Sequence, residues 1–98
     1  MEIIKTLEGT EATLKVIGRL DTLTSVDLEK EITEVVPQID SLVFDFEELE
    51  YISSAGFRVL LATRNKSGKT LKIKILHLTE EVESLFEVTG FCDIFTIE

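Results

Sequence analysis

One stretch of the sequence constrains the fold of this chain most. It consists of a short apolar run, an acidic connector and then an amphipathic segment. The run covers residues 42–46, and four of its five residues are apolar without alternation, which predicts a buried strand. After the connector at 47–50, Phe57, Leu60, Leu61 and Arg64 recur at helical spacing. A buried strand that leads into a helix starting near Ser54 indicates an α/β unit.

The flanking sequence predicts further strands and helices. Residues 3–7 and 12–17 form an antiparallel hairpin with a turn at 8–10, and 18–22 form a loop. A helix begins at Thr24 or Ser25, either of which can cap it, and Pro37 stops it. Gly68 is the expected C-cap of the central helix. Residues 71–76 form a strand, a third helix runs from a Thr79 cap to Gly90, and 94–97 form a short last strand.

These elements predict an α/β fold in one domain spanning residues 1–98. The sheet is mixed and mostly parallel, with an N-terminal antiparallel hairpin, because strands that alternate with single helices pair in parallel. Successive crossovers in one direction put the helices mainly on one face of the sheet. A doubly wound sheet is the competing topology.

Composition narrows the classes of function. The net charge of −9 argues against binding to nucleic acid or to an anionic membrane surface. The single cysteine, Cys92, excludes an internal disulfide and fits a reducing compartment. No N-terminal apolar signal region and no membrane-spanning run is present, so we expect a cytoplasmic protein.

The residues available for catalysis are few. His77 is the only histidine, and Cys92 is expected to be a small core residue. Neither Ser53 nor Ser54 stands in a G-x-S-x-G nucleophile motif, and no phosphate-binding glycine motif occurs. We therefore expect no enzyme and no cofactor. A small hydrolase using Ser54 as nucleophile would need His77 as its base.

Several acidic residues raise the question of a metal site. They are Asp21, Asp45, Glu47, Glu48 and Glu50. Hard cations usually require more regular ligand spacing than this, and His77 has no second histidine with which to share a metal ion. Solvated loop charges are the favoured interpretation, and no metal is expected.

Ser54 stands where a strand passes into a helix, and two physical roles fit that position. Its hydroxyl can cap the helix by accepting a backbone N–H. Alternatively, it can be phosphorylated, which places a dianion at the positive end of the helix dipole. Composition and periodicity do not separate these roles.

Residues 51–61 resemble the signature of bacterial anti-sigma factor antagonists, the single-domain members of the STAS family. Residues 18–22 resemble that family's second marker, a Gly-Arg-Leu-Asp loop after the second strand. The resemblance covers essentially the whole chain and implies a STAS-like fold. An alternative within this fold is an interaction module for another regulatory kinase or for a transporter-associated complex.

The resemblance also implies a partner switch. The unphosphorylated antagonist would bind an anti-sigma factor with serine kinase activity and so free a sigma factor. Phosphorylation would release it, and a serine phosphatase would restore binding. Aligned on Gly56, the acceptor falls on Ser54. Many family members have aspartate where this chain has Ser53, and this departure leaves a second hydroxyl beside the first, so Ser53 is the second candidate. The implied partner-binding residues are Asp21, Thr22, Ser53, Ala55, Gly56, Phe57 and Arg58.

Overall fold

The structure is a computed structural model that describes residues 1–67, 71–90 and 95–98. In chain order its elements are β1 (Glu2–Glu8), β2 (Glu11–Leu20), α1 (Thr24–Val35), a 3₁₀ turn (Val36–Gln38), β3 (Ser41–Asp45), β4 (Leu49–Ile52), α2 (Ser54–Ser67), β5 (Lys72–Leu76), α3 (Glu80–Thr89) and β6 (Thr96–Ile97). The predicted C-cap at Gly68, Cys92, and Ile94 of the predicted last strand lie outside the described residues.

Within the described residues, six strands form one mixed sheet. β1 pairs antiparallel with β2, and the order then continues through β3, β5 and β6 in parallel pairs. β4 pairs in parallel with the C-terminal end of β2, at residues 18–20. The predicted mixed, mostly parallel sheet with an N-terminal hairpin is therefore confirmed.

The prediction was wrong around Gly18 and after residue 46. Gly18 has a positive φ of 103° and lies at a bulge, but β2 resumes beyond it and ends at Leu20. The acidic connector, predicted as a plain link, leads into the additional strand β4, whose Ile52 pairs with Leu20. Both errors have one cause. The pairing of β2 with β4 satisfies the backbone N–H and C=O groups of two segments whose sequences look irregular.

The hydrophobic core lies between the sheet and the helices. Ala12, Leu14 and Val16 of β2 are buried in it, whereas Thr13 and Lys15 between them are only half-buried. Facing core residues come from all three helices and include Leu28, Ile32, Val35, Leu60, Val82 and Phe86. This one-sided alternation is the pattern of a sheet with helices mainly on one face.

Three predicted helix ends are confirmed. The 3₁₀ turn containing Pro37 follows α1 directly, as expected where proline disfavours further helix. Thr79 caps α3 by accepting the Val82 N–H at 3.3 Å, and Gly90 ends that helix with a φ of 77°. Among the described residues, no helix has both the length and the apolar character needed to cross a membrane.

Candidate partner-binding site at the start of helix α2

The register of β2 against β4 brings two sequence-distant segments to the same edge of the sheet. Leu20 pairs with Ile52, and the Ser53 N–H donates to the Leu20 carbonyl at 2.8 Å. The loop after β2 and the first turn of α2 therefore lie side by side. A shallow hollow between them is lined by Thr22 from the loop and by Ala55 and Arg58 from α2. Three of the predicted site residues are thus brought together.

Ser53, rather than Ser54, caps helix α2. The Ser53 hydroxyl accepts the Gly56 N–H at 3.4 Å, and its carbonyl accepts the Phe57 N–H at 3.1 Å. The side chain is half-buried. The capping role that sequence reasoning considered for Ser54 therefore belongs to its neighbour.

Ser54 is the first residue of α2, and its side chain is exposed. Within the described part of the chain, its hydroxyl makes no hydrogen bond. The first turn of a helix presents free N–H groups and the positive end of the dipole, both of which favour an anion. Ser54 is therefore accessible for modification at a position that tolerates negative charge.

Asp21 organises the loop beside Ser54. Its Oδ1 accepts the N–H groups of Leu23 at 3.0 Å and Thr24 at 2.9 Å, and the Thr24 hydroxyl lies 3.1 Å from it. These bonds satisfy the first donors of α1. The prediction that Thr24 or Ser25 caps α1 was therefore wrong: the residue before the helix is Leu23, which has no capping side chain, and Asp21 supplies the acceptor.

The same contacts keep the Asp21 carboxylate charged. Donation from the Thr24 N–H, with smaller contributions from the Thr24 hydroxyl, the Leu23 N–H and the Arg19 charge, lowers the pKa of Asp21 below its ordinary value. Among the described residues, Asp21 has no hydrogen bond to Ser53 or Ser54. Its influence on the site is through the shape of the loop.

Two predicted partner contacts lie inside the protein. Phe57 is 6% exposed, and its ring packs edge-on against Phe86 with 5.0 Å between centroids. Gly56 is buried, and a Cβ there would lie 2.7 Å from Cγ1 of Ile52 and 3.0 Å from Leu20. Gly56 therefore permits close packing of α2 on the sheet. Both residues support the site from below and are not surface contacts.

Sequence reasoning missed two exposed apolar residues beside this site. Leu23 is 82% exposed and Val26 is 66% exposed, and Val26 lines the same hollow as Thr22 and Arg58. Large apolar side chains that stay exposed next to one another are typical of interaction surfaces. The available signal was that Val26 falls outside the buried stripe formed by Leu28, Ile32 and Val35.

Comparison with known protein families identifies the domain. The family model described as "STAS domain" matches residues 3–98. The chain belongs to the STAS domain family. This confirms the family membership that residues 18–22 and 51–61 predict.

One relative of this STAS domain is named as an anti-sigma factor antagonist. The anti-sigma-F factor antagonist RsfB of Mycobacterium tuberculosis is 35% identical over 66 residues, which is 66% of this chain and 54% of RsfB. The alignment therefore spans about half of that relative's length.

Solved structures share the fold at lower identity. An anti-sigma factor antagonist from Mycobacterium paratuberculosis has a TM-score of 0.88 at 24% identity, covering 98% of this chain and 83% of that one. The Bacillus cell fate determinant SpoIIAA in its phosphorylated form has a TM-score of 0.77 at 13% identity, covering 99% and 91%. At these identities the likeness establishes the architecture.

The geometry of this STAS domain does not support the alternative of a serine hydrolase. His77, the only histidine in the sequence, has its Nδ1 3.1 Å from Asp45 Oδ1 and 3.7 Å from Glu47 Oε2. Within the described ranges, no hydrogen bond joins it to Ser54. In the part of the chain that the structure describes, Ser54 therefore has no histidine bonded to it that could act as the base of a nucleophilic serine.

Proposed function

We propose that this STAS domain is an anti-sigma factor antagonist that acts by partner switching. In its unphosphorylated form it binds an anti-sigma factor with serine kinase activity and thereby frees a sigma factor in the cytoplasm. The kinase transfers phosphate from its own ATP to Ser54, and the complex dissociates. A serine phosphatase then restores the binding form. The domain itself performs no catalysis in this cycle.

The observation that carries the proposal is the exposed hydroxyl of Ser54 at the first residue of α2, which makes no hydrogen bond to any described residue. Ser53 is the weaker acceptor because it is half-buried and its Oγ already accepts the Gly56 N–H. Ser54 has neither constraint, so a kinase reaches its Oγ without disrupting the helix cap.

The names of the relatives support the same role. RsfB is named as an antagonist of an anti-sigma factor, and SpoIIAA has been solved in a phosphorylated form. We extend both properties to this chain as part of the proposal.

The surface around Ser54 suits a protein partner. Leu23 and Val26 supply exposed apolar area, and Thr22, Ala55 and Arg58 line the hollow between them and α2. A central apolar patch with polar residues at its margin is the usual composition of a protein interface. Asp21 contributes by holding the loop that presents Leu23.

The physical basis of release is the cost of placing a phosphate in that interface. Phosphorylation adds about −1.5 to −2 charges at neutral pH. The start of α2 tolerates this charge in the free domain, so the antagonist need not refold. In the complex, the phosphate must be desolvated or set against partner groups. A fall from nanomolar to micromolar affinity requires about 4 kcal/mol, which one buried, unpaired phosphate can supply.

The proposal predicts opposite behaviour for two variants of Ser54. Ser54→Ala should bind the cognate anti-sigma kinase with at least the affinity of the unmodified domain and resist release by ATP. Ser54→Asp should bind about 10–1,000-fold more weakly, because it places a charge at the same point. Isothermal titration calorimetry with the purified kinase measures both affinities.

Ser53→Ala is the comparison variant: it removes the neighbouring hydroxyl, and with it the cap of α2, but leaves Ser54 intact. It should remain releasable by ATP. Equal affinity of Ser54→Ala and Ser54→Asp for the kinase, with both variants folded, would contradict the switch.

A further inference from the structure

Three potential metal ligands lie close together at the C-terminal end of β3. Asp45 is the last residue of β3, and Glu47 lies two residues further along the chain. His77 comes directly after β5. One ligand atom from each of these residues lies within 4.8 Å of the other two. Sequence reasoning considered the acidic residues and His77 separately, and it expected no metal because the acidic residues lack regular ligand spacing and His77 has no second histidine beside it.

The sheet brings them together. β3 and β5 are adjacent parallel strands in which Asp45 pairs with Leu76, so the residue after Leu76 emerges beside the end of β3. The Phe46 N–H donates to the Leu76 carbonyl at 3.0 Å, which extends this pairing by one step. The backbone of His77 is further fixed because its N–H donates to the Glu98 carbonyl at 3.2 Å.

The distances are close to those of a coordination sphere. His77 Nδ1 lies 3.1 Å from Asp45 Oδ1 and 3.7 Å from Glu47 Oε2. In a tetrahedral zinc site with bonds of roughly 2.0–2.1 Å, neighbouring ligand atoms are separated by roughly 3.3 Å. These two separations bracket that value, and the ligand atoms of Asp45 and Glu47 lie within 4.8 Å of each other, so modest side-chain shifts would accommodate an ion.

The donor types select the class of ion. An imidazole nitrogen with two carboxylate oxygens suits zinc and related divalent transition metals, whereas Mg²⁺ and Ca²⁺ prefer oxygen donors alone. The adjacent cation Lys15 pairs with Glu48 at 2.8 Å, whereas Asp45 Oδ1 faces His77 and also accepts the backbone N–H of Glu47 at 3.1 Å. Two carboxylates balance the charge of a divalent ion, and the exposed positions of Glu47 and His77 leave it an entry path.

We propose that Asp45, Glu47 and His77 form a binding site for a divalent transition-metal ion of the zinc type. The ion occupies the space between Nδ1 of His77 and the two carboxylates, and solvent completes its coordination. The site uses none of the residues of the proposed switch, so either proposal can fail without the other.

The test is a titration of the 98-residue chain with Zn²⁺, in a Cys92→Ser background that removes its only thiol. Calorimetry gives the stoichiometry and affinity, and the imidazole ¹⁵N signals report on His77 directly because it is the only histidine. We expect one ion per chain and a shift of the Nδ1 signal. His77→Asn, Asp45→Asn and Glu47→Gln should each weaken binding at least about tenfold, since even outer-shell partners of a metal change affinity by roughly 10–100-fold.

Asparagine is chosen at position 77 because His77 has a φ of 61°, a conformation that asparagine tolerates. Glu50→Gln, an exposed carboxylate outside the cluster, is the matched control and should bind Zn²⁺ unchanged. Mg²⁺ should leave the imidazole signals unshifted. The proposal is overturned if Zn²⁺ fails to bind, or if binding is as strong in the three folded variants as in the Glu50→Gln control.

Discussion

Gly56 determines how closely α2 approaches the sheet. A Cβ at this position would lie 2.7 Å from Cγ1 of Ile52 and 3.0 Å from Cγ and Cδ2 of Leu20. Both neighbours are almost fully buried, so they have little room to move away. The glycine in the signature is thus explained by packing beneath Ser54.

We expect Gly56→Ala to lower the free energy of unfolding by about 1–2 kcal/mol. Alanine favours the helix by about 1 kcal/mol, but overpacking a filled core costs roughly 1–3 kcal/mol, and the short distance to Ile52 places this site at the upper end. Urea unfolding measures the change. Repeating it in an Ile52→Ala background removes the nearest atom, and an undiminished cost there would rule out the steric explanation.

At the scale of elements, the start of α1 depends on a residue that lies outside the helix. Asp21 accepts the N–H groups of Leu23 and Thr24, and these bonds lower the pKa of its carboxyl group. Because the folded-state pKa is below the ordinary value of 3.8, the charged carboxylate stabilises the fold above that pH. This contribution is lost as the pH falls through the folded-state pKa.

Asp21→Asn should therefore be less stable than the unmodified chain at pH 7, and the difference should narrow as the pH falls towards 3. Asparagine keeps an acceptor oxygen but removes the charge, so the comparison isolates the ionised form. Thermal unfolding across this pH range checks the prediction. The control is Glu34→Gln, which removes an exposed charge from α1 and leaves the Asp21 loop unchanged. If the stability of that variant showed a pH trend of equal size, the role given to Asp21 would be contradicted.

Periodicity predicted the long elements and failed for those that depend on pairing. The stripe of Leu28, Ile32 and Val35 identified α1, and the apolar run identified β3. β4 has only four residues with an exposed glutamate at Glu50, so its strand character comes from its register with β2. The end of β2 was missed for the same reason, because Gly18 interrupts the alternation at a bulge.

At the scale of the whole molecule, the sheet decides which distant residues meet. The pairing of β2 with β4 places the Asp21 loop beside Ser54, and the pairing of β3 with β5 places His77 beside Asp45. The family motif was sufficient to predict Ser54, Thr22, Ala55 and Arg58 as candidates. The helical spacing had already placed Phe57 in the apolar stripe of α2. Motifs and spacing did not reveal the exposure of Leu23 or the cluster around His77, since these depend on strand register and packing.

The central claim is that Ser54 carries the regulatory phosphate, and phosphopeptide mass spectrometry on the chain isolated from its native cells tests it most directly. Trypsin cleaves after Lys30 and Arg58, so Ser53 and Ser54 lie in one peptide whose fragment ions must separate them. We predict phosphate on Ser54 under conditions that silence the sigma factor, and none in a Ser54→Ala chain isolated in parallel. Phosphate confined to Ser53, or an unmodified peptide under every growth condition, would contradict the account.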